Sequence, residues 1–406
     1  MAANDRQDWE NRTFEASRAF TPRSPIDEKS LFAGREEQRR QIVDVINQKG
    51  EHAILFGERG VGKTSLANVL GELLGRPGSI TAPRINCDYG DTFESIWRKG
   101  FDEVELVRSI QPIGFNPTIT DKSYSAAELL GDEVSPDSVR RALTRLATGV
   151  LPIFIIDEFD RLRQEPRRAF ADTIKNLSDH AVNATVIIVG VADSVGQLIE
   201  EHQSVERALR QIQMPRMSAE EIDQIITNGL DRLQMTIDGD ALTRISKLAQ
   251  GMPHYAHLLG LNASRVALDS RQNHVTTVTV ERAIDTALLG TYQSVREDYD
   301  RAVRSNRKEN LFGDVLLSCA ITKKNELGFF AAQDVRGRLR AITGKEYEIP
   351  SFAQHLNEFS DPKGRNVLQK AGSTRRFRYR FLSPLLQPFI IMQGLKNHRV
   401  TMDMID

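Results

Sequence analysis

Ile54-Leu55-Phe56-Gly57-Glu58-Arg59-Gly60-Val61-Gly62-Lys63-Thr64-Ser65-Leu66 is the stretch that decides the fold. An apolar strand empties into a glycine-rich loop with the spacing GxxxxGK[ST], and a helical pattern follows. Glycines let successive backbone N–H groups turn inward on an anion without Cβ obstruction, and the helix beginning near Lys63 adds its positive N-terminal end. Gly57, Glu58, Arg59, Gly60, Val61, Gly62, Lys63, Thr64 and Ser65 are therefore the expected phosphate cradle. Lys63 is placed to reach β- and γ-phosphates, and Thr64 to hold Mg²⁺.

A second motif lies downstream. Leu151-Pro152-Ile153-Phe154-Ile155-Ile156 is a continuous apolar run, as expected of a strand buried on both faces of a parallel sheet, and it ends in Asp157-Glu158. Ligands of open α/β sheets bind at this strand edge. Acidic residues there would by themselves equally suit a helix N-terminus. Together with the cradle they point to a nucleoside triphosphate, with Asp157 steering Mg²⁺ and Glu158 orienting or deprotonating the attacking water.

The chain has 406 residues, too many for one ordinary core, and its apolar content is enough for two or three domains. No apolar stretch approaches the ~18 to 20 residues that span a bilayer, and Met1-Ala2-Ala3-Asn4-Asp5-Arg6 lacks an export signal, so no membrane partner and a cytoplasmic location are expected. Cys87 and Cys319 are the only cysteines and read as reduced core residues. The net charge of −1 conceals an asymmetry: residues 301–406 carry 19 Lys+Arg against 10 Asp+Glu, leaving about −10 for the rest. A polyanion such as nucleic acid would suit the basic end, as would a merely solvated basic surface.

Along the chain, Trp9, Phe14 and Phe20 stand among polar residues before Thr21-Pro22-Arg23-Ser24-Pro25, which reads as a weakly ordered arm. Alternating helices and strands follow: a helix over Arg35–Asn47, a helix over Ser65–Leu74, a short strand at Arg84–Cys87, helices over Ser138–Ala147 and Arg167–Leu177, and a buried strand over Thr185–Val191. More than sixty residues separate the strand at Arg84 from the Asp-Glu strand, which implies an inserted helix or loop. Beyond Pro215 the pattern is helical, over Ala219–Leu233, Asp240–Ala249, Pro253–Leu268 and Val280–Leu289.

Taken together, these residues resemble the AAA+ ATPases, and within them the initiator clade of origin-recognition and replication-initiator proteins, which carry a winged helix after a helical lid. The resemblance implies an α/β fold: a P-loop NTPase parallel-sheet core, an α-helical lid and a C-terminal winged-helix domain. The expected division is an N-terminal arm at 1–24, the core at 25–215, the lid at 216–292, the winged helix at 293–395 and a tail at 396–406. Leu31-Phe32-Ala33-Gly34-Arg35-Glu36 is similar to the family's segment before the first helix, which with Pro25 and Ile26 would line the adenine pocket. Gly190-Val191-Ala192-Asp193 matches the strand end bearing the first sensor, usually Asn, so Asp193 is a departure. Ser204-Val205-Glu206-Arg207 is placed like the arginine finger, so that Arg207 would act on a neighbouring subunit's ATP and make the oligomer the hydrolytic unit. Gly251-Met252-Pro253-His254 aligns with the second sensor, where the family usually has Arg; His254 is a second departure that suits either a phosphate contact or a packed neutral imidazole.

In the C-terminal module, Asn366–Lys370 and Phe377–Leu382 read as two strands joined by Ala371-Gly372-Ser373-Thr374, as a wing would be. Alternation puts Phe377, Tyr379 and Phe381 on one face and Arg376, Arg378 and Arg380 on the other, a basic row suited to DNA phosphates. The resulting expectation is an ATPase that takes ATP/ADP and Mg²⁺, binds duplex DNA, self-associates and uses its nucleotide state to control assembly or to recruit an effector. Two alternatives share the same motifs: a signalling or defence switch acting on a protein partner, and the ATPase subunit of a transposition or restriction system.

Overall fold

Strand β1 (His52–Gly57) is buried at every position and lies between two parallel neighbours, which follows from its unbroken apolar run. The computed structural model describes residues 3–24, 32–73, 79–110, 120–192, 196, 205, 207–305, 310–325, 327–373 and 376–405. Helix α1 (Ala3–Ala19) precedes α2 (Glu36–Ile46), and β1 leads through the glycine loop into α3 (Lys63–Leu73). Then come β2 (Ile80–Thr81), β3 (Arg84–Asn86), α4 (Phe93–Asp102), β4 (Glu105–Ile110), β5 (Thr120–Ser125), α5 (Pro136–Leu146), β6 (Leu151–Asp157), α6 (Gln164–Asp179), β7 (Thr185–Val191) and β8 (Leu209–Gln213).

The main sheet runs β2-β6-β7-β1-β8 with β3 also paired to β6, and all of these pairings are parallel. Period-2 alternation sorts its residues onto two cores. Ile54, Phe56, Phe154, Ile156, Val186 and Ile188 pack with Trp97, Leu143 and Phe170 of α4, α5 and α6. Ala53, Leu55, Ile153, Ile155, Ile187 and Val189 pack with Ile42 of α2 and Leu66 of α3. The long segment between the two ATP motifs contains helix α4 and an antiparallel hairpin, β4 with β5, separate from the main sheet.

A helical unit follows: α7 (Ala219–Arg232), β9 (Thr236–Ile237), α8 (Gly239–Ala249), α9 (Pro253–Asp269), β10 (His274–Val275) and α10 (Thr277–Gly290). Ser218 and Thr276 start α7 and α10 with capping boxes, each hydroxyl accepting the N3 backbone N–H. Helix α11 (Gln293–Val303) leads to a C-terminal unit of α12 (Phe312–Ile321), β11 (Phe330–Ala331), α13 (Ala332–Thr343), α14 (Ile349–Ser360), β12 (Leu368–Ala371), β13 (Arg378–Phe381) and α15 (Leu386–Lys396). Its three strands form an antiparallel sheet in the order β11-β13-β12. The helical and C-terminal units share one hydrophobic core, which runs from Phe20 through Tyr255 and Leu316 to Phe389.

The N-terminal segment corrects the sequence expectation, because it is not a weakly ordered arm. Helix α1 lies on the helical unit, with Arg12 donating to Asn273 Oδ1 at 2.7 Å and to the Leu233 carbonyl at 2.8 Å. Phe20 is fully buried there: a Cβ at Gly229 or Gly260 would stand 2.4 or 2.5 Å from its ring, so both helical glycines make room for it. Among the described residues no helix is long and apolar enough to cross a membrane, and Cys87 and Cys319 are both buried and free.

Candidate active site

The parallel sheet delivers both motifs to its C-terminal edge. Gly57 ends β1 opposite Val191 of β7, and Asp157 ends β6 opposite Asn86 of β3. A cavity of about 870 Å³ opens there, lined by Arg59, Gly60, Gly62, Lys63, Thr64 and Ser65 from the loop and by Asp157, Glu158, Asp160 and Arg161 from the second motif. Thr21–Ser24, Phe32 and Ala33 wall it from the N-terminal side, Ile225, His254 and His257 from the helical unit, and Leu382–Leu385 from the C-terminal unit.

Gly60 and Gly62 have φ of +84° and +94°, the left-handed region that lets loop N–H groups turn inward. The Lys63 ammonium donates to the Gly57 and Glu58 carbonyls at 3.0 and 2.7 Å. Burial pushes Lys63 down to about 8, with Asp160, Asp157 and Glu58 opposing the shift. A buried ammonium beside inward-turned amides fits a polyphosphate, which would restore the lost solvation of the charge.

Asp157 is almost wholly buried, and its Oδ2 accepts from Arg84 Nη2 at 3.0 Å and Nε at 3.3 Å. Glu158 has a φ of +56°, unusual for a residue with a Cβ; its backbone N–H donates to Asp157 Oδ1 at 2.8 Å and its carboxylate pairs with Arg161 at 3.1 Å. That backbone lets consecutive residues divide their roles: Asp157 is fixed and Glu158 stays half-exposed at the cavity. Among the described residues no cluster of three or more His, Cys, Asp or Glu could cage a metal ion. One carboxylate and one hydroxyl beside phosphates is the donor set that Mg²⁺ commonly takes, and Asp157 and Thr64, which both line the cavity, could supply it.

The other expected site residues fall into five groups. Gly57, Glu58 and Val61 shape the loop without lining the cavity, and Val61 is fully buried. His254 lines the cavity, but its Nδ1 sits 2.6 Å from the Pro22 carbonyl, its ring stacks on Tyr292, and burial lowers its pKa, so it fastens the N-terminal segment to the helical unit as a neutral ring. Arg207 is exposed next to the N-terminal end of β8, the opposite end of the sheet from the cradle. Pro25, Ile26 and Asp193 lie outside the described residues. Arg376, Arg378 and Arg380 are remote from the cavity; the first two are exposed, while Arg380 donates to Gln369 Oε1 at 2.7 Å and lies over the Phe329 ring.

Three residues escaped the sequence reading. Asp160 accepts from the Val191 N–H at 2.8 Å, tying the second motif to the end of β7. Its position three residues after Asp157 was a visible cue. Arg84 and Arg216 carry no local cue, because their partners lie 73 and 158 residues away.

A parallel sheet that brings a phosphate cradle and a strand-end carboxylate pair to one cavity places the protein among the P-loop ATPases. Residues 31–189 match the family described as the AAA ATPase domain, which assigns the core to the AAA+ class. The Holliday junction branch migration complex subunit RuvB of Flavobacterium johnsoniae is 24% identical over 299 residues, covering 66% of this chain and 80% of that protein. The Walker-type ATPase PABY2304 of Pyrococcus abyssi superposes with a TM-score of 0.51 at 17% identity, covering 91% of this chain and 98% of the other. The Aeropyrum pernix ORC1 protein, solved in complex with DNA, gives a TM-score of 0.45 at 17% identity, with 93% and 95% covered. Residues 31–189 thus form an AAA ATPase domain by this match.

Proposed function

We propose that ATP and ADP bind between the α/β core and the helical unit, which serves as a lid, and that nucleotide state controls assembly on duplex DNA or recruitment of an effector. Lys63 and the loop amides hold the phosphates, Thr64 and Asp157 the Mg²⁺, and Glu158 orients the attacking water. Arg207 reaches a neighbouring copy's ATP, since it stands too far from its own cradle to act there. The C-terminal unit, with its helix-strand-helix-helix-strand-strand order, is read as a winged helix whose Arg376 and Arg378 meet backbone phosphates, with Arg380 supporting the strand. One observation carries the reading: the cavity is walled by the cradle, the helical unit and the unit bearing the basic row, which supports a coupling between nucleotide state and that surface. RuvB, one of the relatives, is named for Holliday junction branch migration.

A gel-shift titration with duplex DNA under ATP, ADP and no nucleotide, with the mass of the complex measured in parallel, tests this. ATP-dependent oligomers on DNA are expected, with affinity falling steeply in salt. Arg376→Ala and Arg378→Ala should each lower the salt slope by about one. A nucleotide-gated switch acting on a protein partner is favoured by one feature, the turn Leu382–Leu385 against the cavity. It predicts tight ADP, a monomer opened by ATP, and DNA affinity indifferent to both arginines.

A further inference from the structure

Glu58, the second residue of the phosphate loop, does not line the cavity, and its side chain is engaged elsewhere. The residue is 8% exposed, and its carboxylate takes a two-pronged grip from Arg216, Nε to Oε2 at 2.7 Å and Nη2 to Oε1 at 3.2 Å. The remaining guanidinium nitrogen, Nη1, donates to Gln387 Oε1 at 2.6 Å. The Gln387 amide, fully buried, donates in turn to Gln250 Oε1 at 2.6 Å and to the Ala320 carbonyl at 2.9 Å. One guanidinium thus joins the phosphate loop (Glu58), the helical unit (Gln250) and the C-terminal unit (Gln387, Ala320).

Backbone packing at the junction is equally close. A Cβ at Gly328, in the C-terminal unit, would stand 2.3 Å from Glu58 Oε1, and one at Gly60 would stand 3.1 Å from Met252 Cε of the helical unit. The helical and C-terminal units share one core, and Arg216 stands where the α/β core gives way to it. The cradle is tied in from the other side. The Lys63 ammonium holds the Glu58 carbonyl at 2.7 Å, so a phosphate that drew that ammonium forward would release the backbone of the residue whose side chain grips Arg216. A planar, permanently charged fork suits this post better than a lysine, since it can hold a carboxylate with one edge and an amide with the other.

We propose that Arg216 is a positioning residue that clamps the joined helical and C-terminal units onto the phosphate loop, and that nucleotide leaves the cavity only when the Glu58–Arg216–Gln387 junction parts. The inference rests on the reading of the cavity as an ATP/ADP site and adds the gate to it.

The test is the dissociation rate of a fluorescent N-methylanthraniloyl-ADP from the full chain by stopped flow, comparing the parent with Arg216→Met and Gln387→Met, with melting and small-angle X-ray scattering alongside. Gln387→Met keeps the buried charge pair and carries the test if Arg216→Met does not fold. Expected are off-rates at least tenfold faster, association rates within about twofold, and a larger radius of gyration, a combination that a general loss of stability does not produce. Variants that bind with the parent's off-rate and dimensions overturn the clamp while leaving the nucleotide site intact. A parent chain that takes up no ADP, while Lys63→Ala behaves identically, overturns the site and the clamp together.

Discussion

At the scale of single residues, the site is governed by charges taken out of water. Lys63 titrates near 8 because burial outweighs three neighbouring carboxylates. Bound phosphate favours its charged form, so nucleotide affinity should be flat below pH 8 and fall by up to tenfold per pH unit above it. A calorimetric titration of ADP from pH 7 to 9.5 checks this, and an unchanged dissociation constant would remove Lys63 from phosphate binding. Glu158→Gln keeps the side chain's shape and loses its basicity, so it should retain ATP affinity while turnover falls about 10²- to 10⁴-fold in a steady-state phosphate-release assay. The sequence showed both residues because a cradle and a strand end are local patterns. It could not show that Asp157 is held by Arg84, or Glu58 by Arg216, because only the sheet and the inter-unit packing bring those partners together.

Among the elements, β1, β6 and β7 were readable from apolar runs that burial on both sheet faces demands, and they lie where expected, β7 to the residue. Helix α1 was not readable. Its sequence is polar with scattered aromatics, and what makes it an element is the surface it meets on α7 and α9. Phe20 supplies the anchor, so Phe20→Ala should cost about 3–5 kcal/mol in urea unfolding of the helical unit, the range for emptying a buried aromatic site. Gly260→Ala should destabilise as well, since its methyl would meet the ring at 2.5 Å. The β4–β5 hairpin was also missed as such, because the reading gave that region only an unspecified inserted helix or loop.

For the whole molecule, two fully or nearly buried histidines contribute to acid sensitivity. Burial holds His52 down to about 3 and His257 to about 4, while in the unfolded chain both titrate near 6.5. The unfolded state therefore binds protons first. The stability these rings allow is complete above pH 6.5 and is lost as pH falls towards 4, by up to about 1.4 kcal/mol per pH unit for each. Urea midpoints from pH 7.5 to 4.5 should fall accordingly, and His52→Asn should flatten part of the slope. The docking of Phe20 between Gly229 and Gly260 also bears on how the chain is born. The ring emerges from the ribosome 240 residues before the second of those glycines. At ~5 to 20 residues per second the wait is roughly 12 to 48 s. Throughout that interval the α/β core can mature while Phe20 still lacks the pocket that buries it.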